Sequence, residues 1–190
     1  MKIINQRYVG ATLVVARHFF LARKKTMPTS SIENAVHQLA HALRARRWRL
    51  AVAESCTGGL IAAACTDVAG SSAWFECGYV TYTPAAKQRS LGVPAALIAR
   101  HGVVSEAVAR AMARGALGAS RAHCAISTTG IAGPTGGSAT QPVGTVCFGW
   151  CSADGAEGAE TRHFTGCRAA VRQQATRHAL ALALKLAQRA

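Results

Sequence analysis

Short apolar segments alternate with stretches of helical periodicity along most of this 190-residue chain. Five segments have the apolar composition of buried strands: residues 48–53, 76–82, 123–128, 143–151 and 161–164. Such alternation is typical of α/β proteins. The length supplies one sizeable hydrophobic core and is short for two. We therefore expect an α/β fold, built as a single three-layer α/β/α domain with a mixed central sheet.

Capping signals mark the helices between these strands. Ser30 and Glu33 fit a capping box, and apolar residues then recur on one helical face to about Arg47. Thr83 followed by Pro84 is typical of a helix start. Further helical patterns and one glycine- and proline-rich loop complete the prediction: helices over 60–65, 105–119 and 168–186, and the loop over 130–144.

The first 27 residues differ in composition from the rest of the chain. Residues 1–26 hold six lysines and arginines and no acidic residue. The apolar part, residues 8–21, is interrupted by Arg17 and His18 and is followed by Arg-Lys-Lys. A signal peptide instead places its charges first and ends in small residues. We expect residues 1–27 to be a disordered basic extension and residues 28–190 to form the folded domain. Two alternatives stay open, a basic leader and translation that starts at Met27 in the cell.

The formal net charge of +14 has the sign that nucleic-acid-binding proteins carry. Beyond the extension, however, the basic residues are scattered over several segments. The one cluster is the stretch 44–49, where Trp48 is the only aromatic residue among the arginines. We therefore expect no nucleic-acid partner, although a basic surface attracts a phosphorylated small molecule. No uncharged apolar run of about 18 residues occurs, so no membrane span is predicted.

The seven cysteines are informative about the cellular compartment of the protein and about metal binding. Their number is odd, and no C-x-x-C pair occurs. No set of cysteines and histidines has the spacing of a zinc finger. Reduced thiols in the cytoplasm are the simplest interpretation. We predict no metal site.

Residues 53–59, with the sequence A-E-S-C-T-G-G, form the first candidate site segment. A predicted strand gives way to a helix here, so the Ser55 hydroxyl would lie beside free backbone N–H groups. Such groups can stabilise the oxyanion that forms when a hydroxyl attacks a carbonyl. Gly58 would let the backbone approach a ligand closely. Two alternatives stay open: Ser55 or Thr57 only caps the helix, or Cys56 is the nucleophile.

Residues 79–87 form the second candidate segment, in which a strand ends and a helix begins. Lys87 falls in the first turn of that helix, where the helix dipole is unfavourable to a cation. The same field favours loss of the lysine proton, as a general base requires. Tyr82 is a candidate for orienting a proton or closing a pocket. The alternatives are that Lys87 is a solvated surface residue and that Tyr82 is an ordinary aromatic residue of the strand.

Residues 127–138, with the sequence S-T-T-G-I-A-G-P-T-G-G-S, form the third candidate segment. Glycines and hydroxyls in such a loop can surround phosphate or ribose oxygens with backbone N–H groups. The segment is neither a P-loop nor a Rossmann fingerprint, because the required lysine and glycine spacings are absent. The alternative is a long surface loop without a ligand.

Six motifs in this order resemble one known family. They are A-E-S-C-T-G-G, A-G-S-S-A-W-F, G-Y-V-T-Y-x-x-x-x-K, G-V-V-S-E, T-G-I-A-G-P-x-G-G-S and P-V-G-T-V. In this combination the chain resembles the CinA C-terminal domain, the family of nicotinamide-nucleotide amidohydrolases, over about residues 32–186. Larger relatives carry an additional N-terminal domain, so this chain resembles the stand-alone form.

The resemblance implies a hydrolase that needs no metal or other cofactor and that deamidates nicotinamide mononucleotide. It implies Ser55 as nucleophile, Lys87 as base and Tyr82 as the tyrosine near the base. Thr129, at the start of the third segment's loop, and Arg168, at the start of the closing helix, match further family positions. Thr57, Gly58 and Gly130 are the remaining predicted substrate contacts. A homodimer is the oligomeric state that the family suggests.

Two positions depart from the family pattern. Thr83-Pro84 replaces the usual Ser-Asn before the lysine, which bears on how the lysine turn is held. Cys167 stands where an acid usually precedes the late arginine, which bears on substrate binding. Two other functions stay open at this point, a Ser-Lys hydrolase of another amide or ester and a basic accessory protein that acts with DNA.

Overall fold

The computed structural model describes residues 32–189. The predicted basic extension and the Ser30 cap lie outside the described residues. The elements within them are, in chain order, α1 (Ile32–Ala45), β1 (Leu50–Glu54), α2 (Leu60–Thr66), a 3₁₀ turn (Ser71–Ala73), β2 (Phe75–Val80), α3 (Pro84–Leu91), α4 (Ala95–His101), α5 (Glu106–Gly118), β3 (Cys124–Gly130), β4 (Thr145–Ser152), β5 (Glu157–His163) and α6 (Arg168–Ala187).

The five strands form one mixed sheet in the order β2-β1-β3-β4-β5. The first three in this order run parallel, and β4 and β5 run antiparallel to their neighbours. Helices cover both faces of the sheet, so the predicted three-layer α/β/α architecture with a mixed sheet is confirmed. Within residues 32–189, no helix combines the length and the apolar composition that a membrane span requires.

Two apolar clusters attach the helices to the sheet. On one face, α1, α2 and α6 pack against the strands through side chains such as Leu39, Ile61 and Leu180. On the other face, α3, α4 and α5 pack through a smaller cluster around Leu91 and Met112. Full burial of one such side chain contributes roughly 1.5–3 kcal/mol to folding. These contacts fix where each helix begins relative to the strand ends.

Several boundaries differ from the sequence prediction for local physical reasons. Helix α1 ends at Ala45 because Arg47 takes a left-handed conformation with φ 55°. Helix α4 was not predicted, since its seven residues begin after Pro94 without a side-chain cap and bury none completely. Strand β5 begins at Glu157 rather than at residue 161, because its polar sequence belongs to an edge strand with one neighbour. The predicted loop over 130–144 is confirmed for residues 131–144.

The parallel strands bring the three candidate segments to one edge of the sheet. Glu54 is paired with Val80 on one side and with Thr128 on the other. Carboxyl ends of neighbouring parallel strands lie at the same edge, and ligands of open α/β sheets bind there. The segments after Glu54, after Val80 and around Thr128 are therefore neighbours in space.

Candidate functional site

Ser55 is the first residue after β1. Its backbone N–H donates to the carbonyl of Thr128 at 3.0 Å, which continues the strand pairing by one residue. The residue is 8% exposed. Ser55 begins a turn of five residues, 55–59, called here the Ser55 turn, which leads into α2. The sheet therefore fixes the start of the turn and leaves the Ser55 hydroxyl accessible from one side.

Lys87 is the other central group, and α3 carries it. The Thr83 hydroxyl accepts a hydrogen bond from the Ala86 N–H at 3.1 Å, and Pro84 occupies the first turn. Thr83-Pro84 therefore starts a normally capped helix. The Lys87 side chain is 1% exposed, so the amine lies inside the protein and is not a solvated surface group.

The amine of Lys87 has three oxygen partners. It donates to the Ser55 hydroxyl oxygen at 2.9 Å, across 32 residues of sequence. It also donates to the backbone carbonyls of Thr81 at 2.7 Å and Tyr82 at 3.3 Å. The side chains of Ser55 and Lys87, which the sequence analysis combined as a pair, are therefore in direct contact.

Burial lowers the pKa of Lys87 from 10.5 to about 8, and the nearby Cys56 thiol acts weakly in the opposite direction. The direction agrees with the sequence analysis, but the cause is different. Desolvation of the amine, rather than the helix dipole, is the dominant effect. A substantial fraction of the amine is therefore neutral in slightly alkaline solution.

Cys56, the alternative nucleophile, is inside the apolar cluster. Burial raises the pKa of its thiol to about 11, although a backbone N–H group and the Lys87 charge lower it in part. A thiol is a strong nucleophile only as the thiolate. The structure therefore favours Ser55 over Cys56 as the attacking group.

Glu54 is a site residue that the sequence analysis did not single out. Its carboxylate is completely buried at the end of β1. It accepts hydrogen bonds from the N–H groups of Gly59 at 2.9 Å, Ile61 at 3.1 Å and Ala62 at 2.9 Å. A carboxylate is favourable at a helix N-terminus, because the first N–H groups have no partner within the helix. Glu54 thus ties β1 to α2 around Ser55.

These contacts also correct one expectation about the Ser55 turn. The sequence analysis counted the free N–H groups at this helix start as donors for an oxyanion. The Gly59 N–H, however, donates to Glu54. The N–H groups of Cys56, Thr57 and Gly58 have no acceptor within residues 32–189. Because Thr57 is completely buried, the N–H groups of Cys56 and of the exposed Gly58 are the backbone donors of this turn that remain for a ligand.

Thr57 and Arg172 fix the Ser55 turn through hydrogen bonds that join it to β3 and to α6. The Thr57 hydroxyl is buried and hydrogen-bonds to the hydroxyl of Thr128 at 2.8 Å. Arg172, on α6, donates to the backbone carbonyls of Cys56 at 3.1 Å and Thr57 at 2.8 Å. The Thr57 side chain is therefore engaged by the protein, and the residue as a whole is buried.

Tyr82 and Arg168 lie together at the mouth of the site. The Arg168 guanidinium donates to the Tyr82 hydroxyl at 3.0 Å and to the carbonyl of Gly133 at 2.8 Å. The Tyr82 side chain is exposed, and the contact of Tyr82 with Lys87 is made by its backbone carbonyl. The phenol is thus placed to close a pocket rather than to share a proton with the lysine.

Thr129 and Gly130 form another part of the cavity wall. The Thr129 hydroxyl donates to the carbonyl of Val103 at 2.8 Å. A side chain at Gly130 would meet the carbonyl oxygen of Thr145 at 2.7 Å, so only glycine fits between the strands. A cavity of about 160 Å³ lies between these groups, lined by Ser55, Cys56, Tyr82, Pro84, Lys87, Val103, Val104, Thr129 and Gly130.

Other cavities of the described chain lack this chemistry. Two of about 390 and 320 Å³ are bordered by α1 with α2 and by β4 with α6, and one of about 170 Å³ is bordered by α1 and α6. None of the three contains a hydroxyl or thiol in contact with a buried amine. Among residues 32–189, no group of three or more His, Cys, Asp or Glu side chains is placed to hold a metal ion.

Glu54 and Arg172 are charged site residues that sequence reasoning missed, and it did not single out Val103 and Val104 of the cavity lining. Glu54 was inside the quoted motif A-E-S-C-T-G-G, and an acid that ends an apolar strand before a helix start is a recognisable signal. Arg172 follows Arg168 by four residues and thus shares its helix face. Nothing in the sequence indicates that its guanidinium reaches the carbonyls of the Ser55 turn.

Comparison with known proteins places this site in a family. The family model described as the CinA C-terminal domain matches residues 32–187. The nicotinamide-nucleotide amidohydrolase PncC of Escherichia coli K12 is 52% identical over 155 residues, which cover 81% of this chain and 93% of that protein. The protein of the same name from Enterobacter agglomerans is 50% identical over 157 residues, covering 80% and 96%.

Solved structures show the same fold. The crystal structure of the competence/damage inducible protein CihA from Agrobacterium tumefaciens superposes with a TM-score of 0.80 at 41% identity, covering 83% of this chain and 96% of that one. The competence damage-inducible protein A of Klebsiella pneumoniae gives a TM-score of 0.79 at 41% identity, covering 83% and 98%.

Proposed function

The chain belongs to the CinA C-terminal domain family, and from that premise we propose that it is a nicotinamide-nucleotide amidohydrolase. The proposed reaction converts nicotinamide mononucleotide and water to nicotinate mononucleotide and ammonia, as a step in pyridine nucleotide recycling. Ser55 is the proposed nucleophile and Lys87 the proposed base. The observation that carries the proposal is the 2.9 Å contact between the Ser55 hydroxyl and the buried amine of Lys87.

The surroundings of Lys87 suit a base that is neutral at the start of the reaction. A neutral amine has two hydrogens and one lone pair. The carbonyls of Thr81 and Tyr82 can accept the two hydrogens. The lone pair then faces the Ser55 hydroxyl, which donates its proton to the amine as its oxygen attacks.

The proposed attack forms a bond between the Ser55 oxygen and the carboxamide carbon. Negative charge develops on the carboxamide oxygen, and the free N–H groups of Cys56 and Gly58 are the proposed donors to it. Protonated Lys87 passes its proton to the amide nitrogen, the C–N bond breaks, and ammonia leaves. Water then attacks the acyl-enzyme with Lys87 again as base, which releases the carboxylate product and restores Ser55.

The size of the cavity fits the reacting part of the proposed substrate. A cavity of about 150 Å³ accommodates benzene, and the cavity beside Ser55 measures about 160 Å³. It therefore holds one six-membered ring, and the ribose and phosphate would extend past Tyr82 toward Arg168. Arginine suits a phosphate because its planar guanidinium can donate two parallel hydrogen bonds. We propose Arg168 as the phosphate ligand.

The test is ammonia release from nicotinamide mononucleotide by the purified protein. We expect wild type to turn over, and Ser55→Ala and Lys87→Met to lose on the order of 10³-fold or more. Matched controls are Ser90→Ala, exposed on α3, and Lys185→Met, exposed on α6, which should keep wild-type rates. EDTA should not change the rate. Near-normal turnover by Ser55→Ala would show that the nucleophile assignment is wrong.

A substrate panel separates this function from the hydrolysis of another amide. Nicotinamide mononucleotide, free nicotinamide and NAD share the carboxamide and differ in the groups attached to the ring. We expect the mononucleotide to have the highest kcat/KM, because Arg168 would contact its terminal phosphate. Faster release from free nicotinamide, or from an unrelated amide, would point to a different substrate for the same pair of residues.

Two further parts of the prediction remain proposals. We propose a cytoplasmic location, which agrees with seven cysteines that all remain free thiols. We also propose a homodimer, which light scattering on the purified protein tests directly. A mass of one chain, 19.8 kDa, would contradict the dimer.

A further inference from the structure

Arg172 contacts the Ser55 turn through backbone carbonyls alone. Its Nε and one terminal nitrogen donate to the carbonyls of two consecutive residues, Cys56 and Thr57. A side chain at Gly58 would lie 3.3 Å from that terminal nitrogen, so the guanidinium is packed directly against the turn. Gly58 has φ 59°, a conformation that suits glycine. The Arg172 side chain and the Ser55 turn are therefore closely packed against each other.

The planarity of the peptide group turns this contact into a constraint on the N–H groups. In a trans peptide, the C=O of one residue and the N–H of the next point in opposite directions. The two peptides that follow Cys56 and Thr57 are trans. Because Arg172 holds both carbonyls toward α6, the N–H groups of Thr57 and Gly58 point away from that helix. Both N–H groups lack an acceptor within the described residues, and Gly58 is exposed whereas Thr57 is completely buried.

We propose that Arg172 is a positioning residue that orients the oxyanion hole. It fixes two consecutive peptide planes, so that the N–H group of Gly58 is already directed when charge develops on the substrate oxygen. The inference rests on the proposed function, since it requires attack on a carbonyl by Ser55. Preorganised donors are effective because they do not have to reorient during the reaction.

The chemistry of arginine suits this role better than that of lysine. The guanidinium is planar and presents several N–H donors in a fixed arrangement, whereas lysine has one nitrogen on a flexible chain. Two carbonyls on adjacent residues therefore match two donors on one edge of the group. Those same donors are occupied by the turn, so they are not available to a substrate phosphate. Arg168, one helical turn earlier, is the arginine at the mouth of the site.

The first experiment compares Arg172→Met and Arg172→Lys with wild type in steady-state ammonia release. We expect kcat of Arg172→Met to fall about 10²-fold, the effect of losing one oxyanion donor, with little change in KM. Arg172→Lys should recover part of kcat because one carbonyl keeps a donor. Arg177→Met, an exposed position on the same helix, is the matched control and should keep wild-type kcat. Thermal unfolding of each variant reports folding separately.

Chemical rescue separates orientation of the turn from a merely structural contact. Ethylguanidinium added to Arg172→Ala should raise kcat in a saturable way, because the small cation can occupy the vacated site and bind both carbonyls. Ethylammonium of the same charge should rescue less. A higher KM with unchanged kcat in Arg172→Met would overturn the inference, since it would make Arg172 a substrate ligand.

A measurement without the nucleotide keeps this inference separate from the proposed function. p-Nitrophenyl acetate should acetylate Ser55, and intact mass gives the rate of acetylation. If wild type is acetylated but releases no ammonia, the proposed substrate is wrong and the acetylation rates still test Arg172. Arg172→Met that is acetylated as fast as wild type would overturn the inference. So would a wild-type protein in which neither reaction modifies Ser55, because no oxyanion then forms there.

Discussion

In the described part of the chain, the buried carboxylate of Glu54 and the buried amine of Lys87 form no ion pair with each other. Yet Glu54 directly precedes Ser55, and Lys87 hydrogen-bonds to the Ser55 hydroxyl. The Glu54 oxygens accept three N–H groups at the start of α2. An adjacent carboxylate would raise the pKa of an amine. Glu54 is engaged by the helix instead, and burial of the Lys87 amine lowers its pKa to about 8.

The first prediction concerns the pH dependence of activity. A base must be neutral to accept the Ser55 proton, so kcat/KM should rise about tenfold per pH unit on the acidic side and level off above the pKa of Lys87. That pKa lies at about 8. The measurement is ammonia release across this range, with thermal unfolding at each pH as the control for folding. A rate that is independent of pH below 8 would contradict a neutral Lys87 as the base.

The second prediction concerns the contribution of Glu54 to stability. In Glu54→Gln one acceptor oxygen becomes an NH₂ group that faces backbone donors, and the charge at the helix start is lost. We expect the free energy of unfolding to fall by about 1–3 kcal/mol. Glu106→Gln, in the exposed first turn of α5, is the control and should cost a few tenths of a kcal/mol, on the order of a surface change. Urea unfolding measures both, and equal losses would contradict the assigned role of Glu54.

The third prediction distinguishes two cysteines near the site. Cys56 is buried with a raised pKa, whereas Cys167 is exposed and backbone N–H groups of Ala169 and Ala170 lower its pKa. Cys56→Ala should therefore keep ammonia release within about tenfold of wild type, since the thiol is not the nucleophile. Iodoacetamide should label Cys167 first, as peptide mass mapping would detect. Loss of activity in Cys56→Ala comparable to that in Ser55→Ala would reverse the assignment.

The fourth prediction compares two glycines on α5. A side chain at Gly115 would come within 2.0 Å of the Leu91 carbonyl oxygen, whereas one at Gly118 would meet nothing within 4 Å. Leu91 ends α3, the helix that carries Lys87, so Gly115→Ala should displace that helix. We expect it to lower stability by about 1–3 kcal/mol and to lower kcat as well. Gly118→Ala should leave both unchanged, and similar unfolding curves for the two variants would count against this packing.

The sequence predicted which segments meet at the site better than it predicted how their side chains are arranged. Parallel strands that end after Glu54 and after Val80 bring Ser55 and Lys87 to one edge, as the α/β pattern implies. All five residues of β1 are buried, because helices cover both faces, so period-2 alternation gives no signal there. Strand β5 was misplaced because its polar residues lack the apolar pattern that marks the inner strands.

The arrangement of charged side chains depended on tertiary contacts that local patterns do not encode. Glu54 finds its partners five to eight residues later, once the Ser55 turn has formed. Arg172 reaches carbonyls more than 110 residues earlier in the chain. A long side chain has many rotamers, and only the packed fold selects one of them. For Lys87 the sequence analysis gave the right direction of the pKa shift but the wrong main cause. Burial of the amine depends on the whole fold, whereas the helix dipole can be inferred from local sequence.

Helix α6 spans the protein from the candidate site to the opposite end of the sheet. Its 20 residues correspond to a length of about 30 Å. Arg168 at its start faces Tyr82, while the carbonyl of Arg189 just past its end accepts a hydrogen bond from Arg46. A fluorophore or a surface tether attached beyond Arg189 would thus be remote from the route by which a small molecule enters. The protein could be immobilised at that end with its reaction still observed.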